Sequence, residues 1–321
     1  MQTGVVGPRT TTPWSSARAR ATAITRLSVP GKPRFWGIQL GSDRLTMRPI
    51  DCGRRRSTRP RKGETMRARL VFAGLLISLF ALLPGSASAV LGGGPDTSHP
   101  YVVMLADGVT ICSGTLLSPT VVLTAAHCFS PDGQGAPVRV YFGQAPTPGN
   151  SYVGTYFFDP QFAGLGNGIP NADTHDVAVV IFSTPIPASV TGGQYGALAS
   201  QGLVDTFGNN TPIDLVGYGV QGFARGGGQP QQVGGFTRFI TQTTAFKSNG
   251  AIGDEFLKLH NGSCFGDSGG PDLVGGTNVV VAENSFLNNS TCAGNTYSYR
   301  VDTPQAQSWI ASTVAAHGGH L

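Results

Sequence analysis

From about residue 100 onward, the apolar residues of this chain come in short runs of four to six, cut apart by Gly, Pro, Asn and Asp. The runs at 101–105, 121–124, 138–142, 177–182, 215–220 and 279–282 are rich in Val, Ile, Leu and Tyr. β-Branched side chains crowd a helical turn but suit a pleated surface, so each run predicts a strand bounded by turns. No long helical pattern alternates with them. That excludes parallel crossover units and leaves a barrel or a sandwich. Helical spacing emerges only at the end, where Thr303 can cap, Pro304 fits the first turn, Trp309, Ile310 and Val314 mark an apolar side, and Gly318 stops the turn. The prediction is a mostly β unit with one helix at about 303–317, and no tandem repeat.

A different pattern precedes residue 90. Met66-Arg67-Ala68-Arg69 leads into the apolar stretch 70–83, then Pro84-Gly85-Ser86 and the small residues Ala87-Ser88-Ala89. Basic start, apolar core and small-residue site predict a signal peptide over 66–89, cut after Ala89. The apolar stretch is shorter than the roughly 20 residues that span a bilayer, which argues against an anchor. Residues 1–65, rich in Arg, Thr, Pro and Gly and without periodicity, read as an over-extended reading frame upstream of the true start, disordered and non-native.

This division reverses the charge argument. Residues 1–89 carry 16 Lys and Arg against 3 Asp and Glu, whereas residues 90–321 carry 6 against 14. The basic balance therefore belongs to the leader, and a mature chain at −8 repels phosphate, which removes the electrostatic basis for binding nucleic acid. The cysteines follow suit. Cys52 lies in the leader, and Cys112, Cys128, Cys264 and Cys292 form an even set in a chain expected to be exported. They allow three pairings, of which 112–128 and 264–292 close short loops; the absence of a Cys-x-x-Cys pair speaks against zinc.

Three segments carry candidate chemistry. In Gly262-Ser263-Cys264-Phe265-Gly266-Asp267-Ser268-Gly269-Gly270-Pro271, glycines flank a serine. A hydroxyl becomes a nucleophile only where a base takes its proton and amide N–H groups hold the resulting oxyanion, and glycines let the backbone come that close. Leu123-Thr124-Ala125-Ala126-His127-Cys128 puts a histidine at the end of an apolar strand beside a cysteine that can pin it. His175-Asp176-Val177-Ala178 sets an acid directly before another strand, where it can orient an imidazole. Asp173 competes for that role, and Asp176 is preferred because it abuts the strand.

Together these segments resemble the trypsin/chymotrypsin family of serine proteases. Thr124-Ala125-Ala126-His127-Cys128 is similar to its histidine motif, Asp176-Val177-Ala178-Val179-Val180 to its aspartate motif, and Gly266-Asp267-Ser268-Gly269-Gly270-Pro271 to its serine motif. Gly217-Tyr218-Gly219 resembles a Gly-Trp-Gly of that family, Ser285-Phe286 its Ser-Trp step along the substrate cleft, and Ser298-Tyr299-Arg300-Val301 the strand before the last helix. The order His, Asp, Ser also excludes an α/β-hydrolase, whose histidine follows its serine; only His317 and His320 do so here.

The resemblance implies an all-β fold of two antiparallel six-stranded β-barrels packed together, barrel one over about 90–200 and barrel two over about 201–302, followed by the C-terminal α-helix. It implies a secreted, monomeric endopeptidase acting on polypeptides, with no cofactor, no metal, no nucleic acid and no membrane attachment after signal cleavage. Ser268 would attack, His127 would act as base, Asp176 would orient it, and the N–H groups of Gly266 and Ser268 would form the oxyanion hole. Disulfides Cys112–Cys128 and Cys264–Cys292 match the family's. Val90-Leu91-Gly92-Gly93 resembles the family's activating terminus, whose freed amine would pair with Asp267. Gly262, Ser263, Ser285, Phe286 and Leu287 would line the primary substrate pocket. With Gly where a trypsin has Asp, and with Leu287 and Thr296 at wall positions usually held by glycine, an uncharged pocket for small-to-medium apolar side chains is slightly favoured over an open one for Phe, Tyr or Leu. The competing expectation is a catalytically silent, protease-like binding protein.

Overall fold

The computed structural model describes residues 93–166, 173–224, 231–246 and 253–321. The predicted signal peptide, the upstream extension and Val90 lie outside these residues.

Strand β1 (Gly94–Pro95) is followed by six strands, β2 (Val102–Ala106), β3 (Ile111–Ser118), β4 (Val121–Thr124), β5 (Ala136–Tyr141), β6 (Ser151–Phe158) and β7 (Ala178–Ile181), with a single-turn helix α1 (Ala126–Phe129) after β4. They close a barrel in the order β2-β3-β4-β7-β6-β5, and all its pairings are antiparallel. Next come β8 (Ala197–Leu198), β9 (Thr211–Gly217), the pair β10 (Gly222–Ala224) and β11 (Gln231–Val233), then β12 (Phe239–Ala245), β13 (Phe256–Leu259), β14 (Pro271–Val274), β15 (Val279–Leu287), β16 (Thr296–Arg300) and helix α2 (Pro304–Ala316). β9-β12-β13-β16-β15-β14 form a second antiparallel ring, closed where Asp272 faces Leu215. The two six-stranded barrels and the last helix are the expected architecture. Two short strands cross over: β1 pairs antiparallel with β12, and β8 lies parallel to β15.

The predicted runs mark buried strands: β4 and β7 are buried at every position, as a strand packed on both faces must be. Two elements differ in extent. β15 runs on to Leu287 through Glu283-Asn284-Ser285, a polar run that reads as a turn yet is buried. β9 starts earlier, at Thr211, and ends at Gly217, because Tyr218 leaves the ladder to bond across to the other barrel. The main apolar core is continuous between the barrels, running from Leu116, Val140 and Val179 through Val216 and Leu273 to Ile310 of α2. A smaller core of Ile213, Leu215, Leu257 and Leu259 fills the second barrel. In α2, Thr303 caps by accepting the N–H of Ala306 at 3.2 Å, Ala306, Ile310 and Val314 are buried one turn apart, and Gly318 at φ +76° ends the helix.

A buried polar network fastens the barrels near β1. Arg238 Nε donates to Asp96 Oδ2 at 2.7 Å, and its Nη1 donates to Val102 O at 3.1 Å and to the Tyr218 hydroxyl at 3.2 Å. Tyr218 in turn donates to Gly143 O at 2.7 Å. Burial pushes the Asp96 carboxyl up, but His99 and Arg238 outweigh it and hold it at about 2. With the folded value below the unfolded one, this stabilisation is present above pH ~4 and lost as pH falls through about 2. Arg238→Met strands a buried negative charge and is expected to cost about 3–5 kcal/mol in denaturant unfolding. Asp96→Asn combined with Arg238→Met is expected to recover part of that loss.

Candidate active site

Strand pairing brings the first two chemical groups together. β4 and β7 pair with Thr124 opposite Ala178, so the residues just beyond β4 meet those just before β7. Ala125 is extended and α1 then turns, presenting His127. The Cys112–Cys128 disulfide ties α1 to β3, and the Tyr156 hydroxyl donates to Ala126 O at 2.7 Å. Just before β7, His175 takes a left-handed φ of +51°, uncommon for a non-glycine residue, and aims Asp176 inward.

Asp176 is fully buried. Its Oδ1 accepts the His127 N–H at 2.8 Å, and its Oδ2 meets His127 Nδ1 at 2.8 Å. The Ser285 hydroxyl of β15 donates to the same Oδ2, so the second barrel also grips this carboxylate. Asp173, the competing acid, instead accepts the Tyr299 hydroxyl and the His175 N–H, each at 2.9 Å. Burial pushes the Asp176 carboxyl up, yet the charge and hydrogen bonds of His127 and the bond from Ser285 hold it below the ordinary range. Burial lowers the His127 imidazole, and the Asp176 charge more than reverses this. The result is an imidazole whose Nδ1 is held by a carboxylate and whose other nitrogen has no hydrogen-bond partner among the described residues.

His127 and Ser268 line one cavity of about 210 Å³, with Ser263, Phe265, Phe286 and Leu287 along its walls. Among the described residues no hydrogen bond joins Ser268 to His127; such bonds are often long in ligand-free sites and tighten around substrate. Ser268 sits in the turn before β14, where its carbonyl accepts the Ser113 N–H at 2.8 Å and the Cys264–Cys292 disulfide anchors the loop. Of the other predicted pocket residues, Ser285 lines the cavity while bonding Asp176, and Ser263 gives its hydroxyl to Thr296 at 3.2 Å. Gly262 is not among the lining residues; its α-carbon faces Leu215 and Thr241. Asn284 and Leu165, which also line the cavity, gave no signal in the sequence. Cys112, Cys128 and His127 cluster as metal-type donors, but the two sulfurs are bonded to each other.

Behind Ser268 lies Asp267, buried, accepting N–H groups from Gly219 at 2.8 Å and Cys264 at 2.9 Å. Gly217 and Gly219 are required here, since a β-carbon on either would fall within about 2.6 Å of the Asp267 carboxyl. Burial, opposed by those two amides, pushes the carboxyl up to about 7. No basic side chain pairs with it among the described residues.

A sequence profile of the Trypsin family matches residues 93–310. The chain belongs to the trypsin family. It is 27% identical over 255 residues to a neutrophil elastase of Mus musculus, covering 78% of this chain and 91% of that protein. It is 28% identical over 262 residues to a trypsin of Sarcophaga bullata, covering 76% and 96%. A solved collagenase structure aligns over 71% of this chain and 96% of its own, at a TM-score of 0.52 and 20% identity, a likeness that carries the fold alone.

Within this trypsin-family frame, the second barrel holds an acid that the sequence did not flag. Asp272 on β14 is fully buried, and neither oxygen has a hydrogen-bond partner among the described residues. Burial lifts it to about 7, with a small opposing pull from nearby Ser298. A carboxyl raised above its unfolded value favours the fold while protonated, so this contribution is full below pH ~4 and is lost as pH rises through about 7. Asp272→Asn is expected to raise the thermal midpoint at pH 7.5 relative to wild type and to leave it nearly unchanged at pH 4; equal shifts at both values would contradict this.

Proposed function

We propose that this chain is a secreted serine endopeptidase that cleaves polypeptides through an acyl-enzyme on Ser268. The observation that carries the reading is the buried Asp176, bonded to His127 and Ser285, both of which line the cavity that Ser268 also lines. His127 takes the proton from Ser268 as the hydroxyl attacks the scissile carbonyl, and returns it to the leaving amine. Asp176 holds the imidazole in the tautomer with the proton on Nδ1 and stabilises the imidazolium that forms. The N–H groups of Gly266 and Ser268, which have no acceptor among the described residues, receive the oxyanion. Water then repeats the sequence on the acyl-enzyme.

The primary pocket takes small-to-medium apolar side chains. Its walls include Phe286 and Leu287, and among the described residues His127 is the one titratable side chain along it. Secretion follows from the signal segment 66–89, and the same cut supplies a terminus at Val90. The raised carboxyl of Asp267, which has two amide donors but no paired cation among the described residues, supports pairing with that terminal amine, with signal peptidase itself making the active form. One residue retained ahead of Val90 after the signal cut is expected to abolish most activity; undiminished turnover would remove the activation reading.

Treatment of the secreted protein with a fluorophosphonate, which captures activated serines, tests the function. Label is expected on Ser268 by peptide mapping and is expected to vanish in His127→Ala. A folded protein with Ser268 unlabelled would favour the alternative, a catalytically silent binding protein on the same fold.

A further inference from the structure

Asp176 has a second acid behind it. On β15, Glu283 lies two residues before Ser285, just ahead of a β-bulge between Asn284 and Phe286; Ser285 bonds Asp176, and the charge of Asp176 acts on Glu283. Glu283 is fully buried, and among the described residues neither of its oxygens has a hydrogen-bond partner. The N–H of Gly269 lies close by but is already given to Asn284 O at 2.8 Å. Asp176, by contrast, is bonded to the backbone and ring of His127 and to the hydroxyl of Ser285. Neighbouring buried carboxyls do not both ionise, and the one that collects the donors keeps the charge. The charge therefore belongs to Asp176 and the proton to Glu283.

The groups packed around Glu283 reinforce this assignment. Burial acts first in favouring its neutral form, then the charge of Asp176 before β7, and Asp272 on β14 adds to this once it ionises. Tyr156 of β6 is close enough to feel it, and Tyr299 of β16 lies directly across the ladder. Each of these is an acid or a phenol, and His127 is bonded to Asp176.

We propose that Glu283 is a positioning residue of the His127–Asp176 pair, kept neutral so that Asp176 presents a single negative charge to the imidazole, and that its loss of a proton resets that pair. An ionised Glu283 adds a second negative charge behind Asp176 and favours the imidazolium. By reciprocity, protonating His127 favours ionisation of Glu283. The inference rests on His127 as the base, but its test needs no turnover, so it can fail while the protease reading stands.

Glu255 and Glu283 are the two glutamates after residue 90. Labelling glutamate carboxyl carbons with carbon-13 therefore gives two mature-chain signals, and Glu283→Gln assigns them. The secreted protein is titrated by NMR with the His127 ring followed in the same sample. Glu283 is expected to keep its proton through the ordinary glutamate range, about pH 4.3. The His127 signals are expected to show a second inflection where Glu283 ionises, absent from Glu283→Gln. Ionisation of Glu283 in the ordinary range, retention of its proton until the chain unfolds, or ionisation without a response at His127 each overturns the proposal. If Glu283→Gln does not fold, Glu255→Gln assigns the two signals by elimination, and the wild-type titration discriminates these results.

Discussion

The fully buried carboxylate of Asp176 is the constraint on which the site depends. A lone buried charge is strongly unfavourable, and here the cost is offset by donors from both halves of the molecule. His127 comes from the first barrel and Ser285 from the second. The carboxylate thus orients the imidazole and also draws the two barrels into register. Ser268, on the second barrel's loop, then faces His127 across a cavity whose walls both barrels supply.

The same solution recurs along the seam between the barrels, with different degrees of completion. Asp96 is matched by Arg238 and His99 and is held low. Asp267 has two backbone amides and no cation among the described residues, and is held high. Asp272 and Glu283 have no hydrogen-bond partner on either oxygen among the described residues. This gradient distinguishes kinds of role. A fully paired acid fastens structure, a half-paired one is suited to receive a partner, and an unpaired one stays neutral and responds to pH. Two disulfides hold the loops that carry His127 and Ser268, so the site does not rely on local packing alone.

Much of the fold could be read from residues near one another in the chain. Strands β4 and β7 were legible because both faces are buried, which leaves an uninterrupted apolar run. Helix α2 was legible because its cap, its proline and its stop signal act within a single turn. The far end of β15 was not, since Glu283, Asn284 and Ser285 look like a polar loop and become strand only through pairing with β14 and β16. Tyr218 likewise looked like the continuation of β9, and its departure is explained by a bond to Gly143 in the other barrel.

By itself the sequence determined the family, the all-β class, the final helix and three motifs whose order named His127, Asp176 and Ser268 as candidates. These are local properties: turn chemistry, side-chain shape and small residues where the backbone must approach closely. Tertiary structure decided that Asp176 rather than Asp173 reaches His127, that Ser285 grips the acid as well as lining the cavity, that Gly262 lies against Leu215, and that Glu283 and Asp272 are buried with no hydrogen-bond partner among the described residues. The charge state of an acid depends on donors and burial supplied by strands far away in sequence. No pattern within one segment carries that information, because the partners meet only when both barrels close.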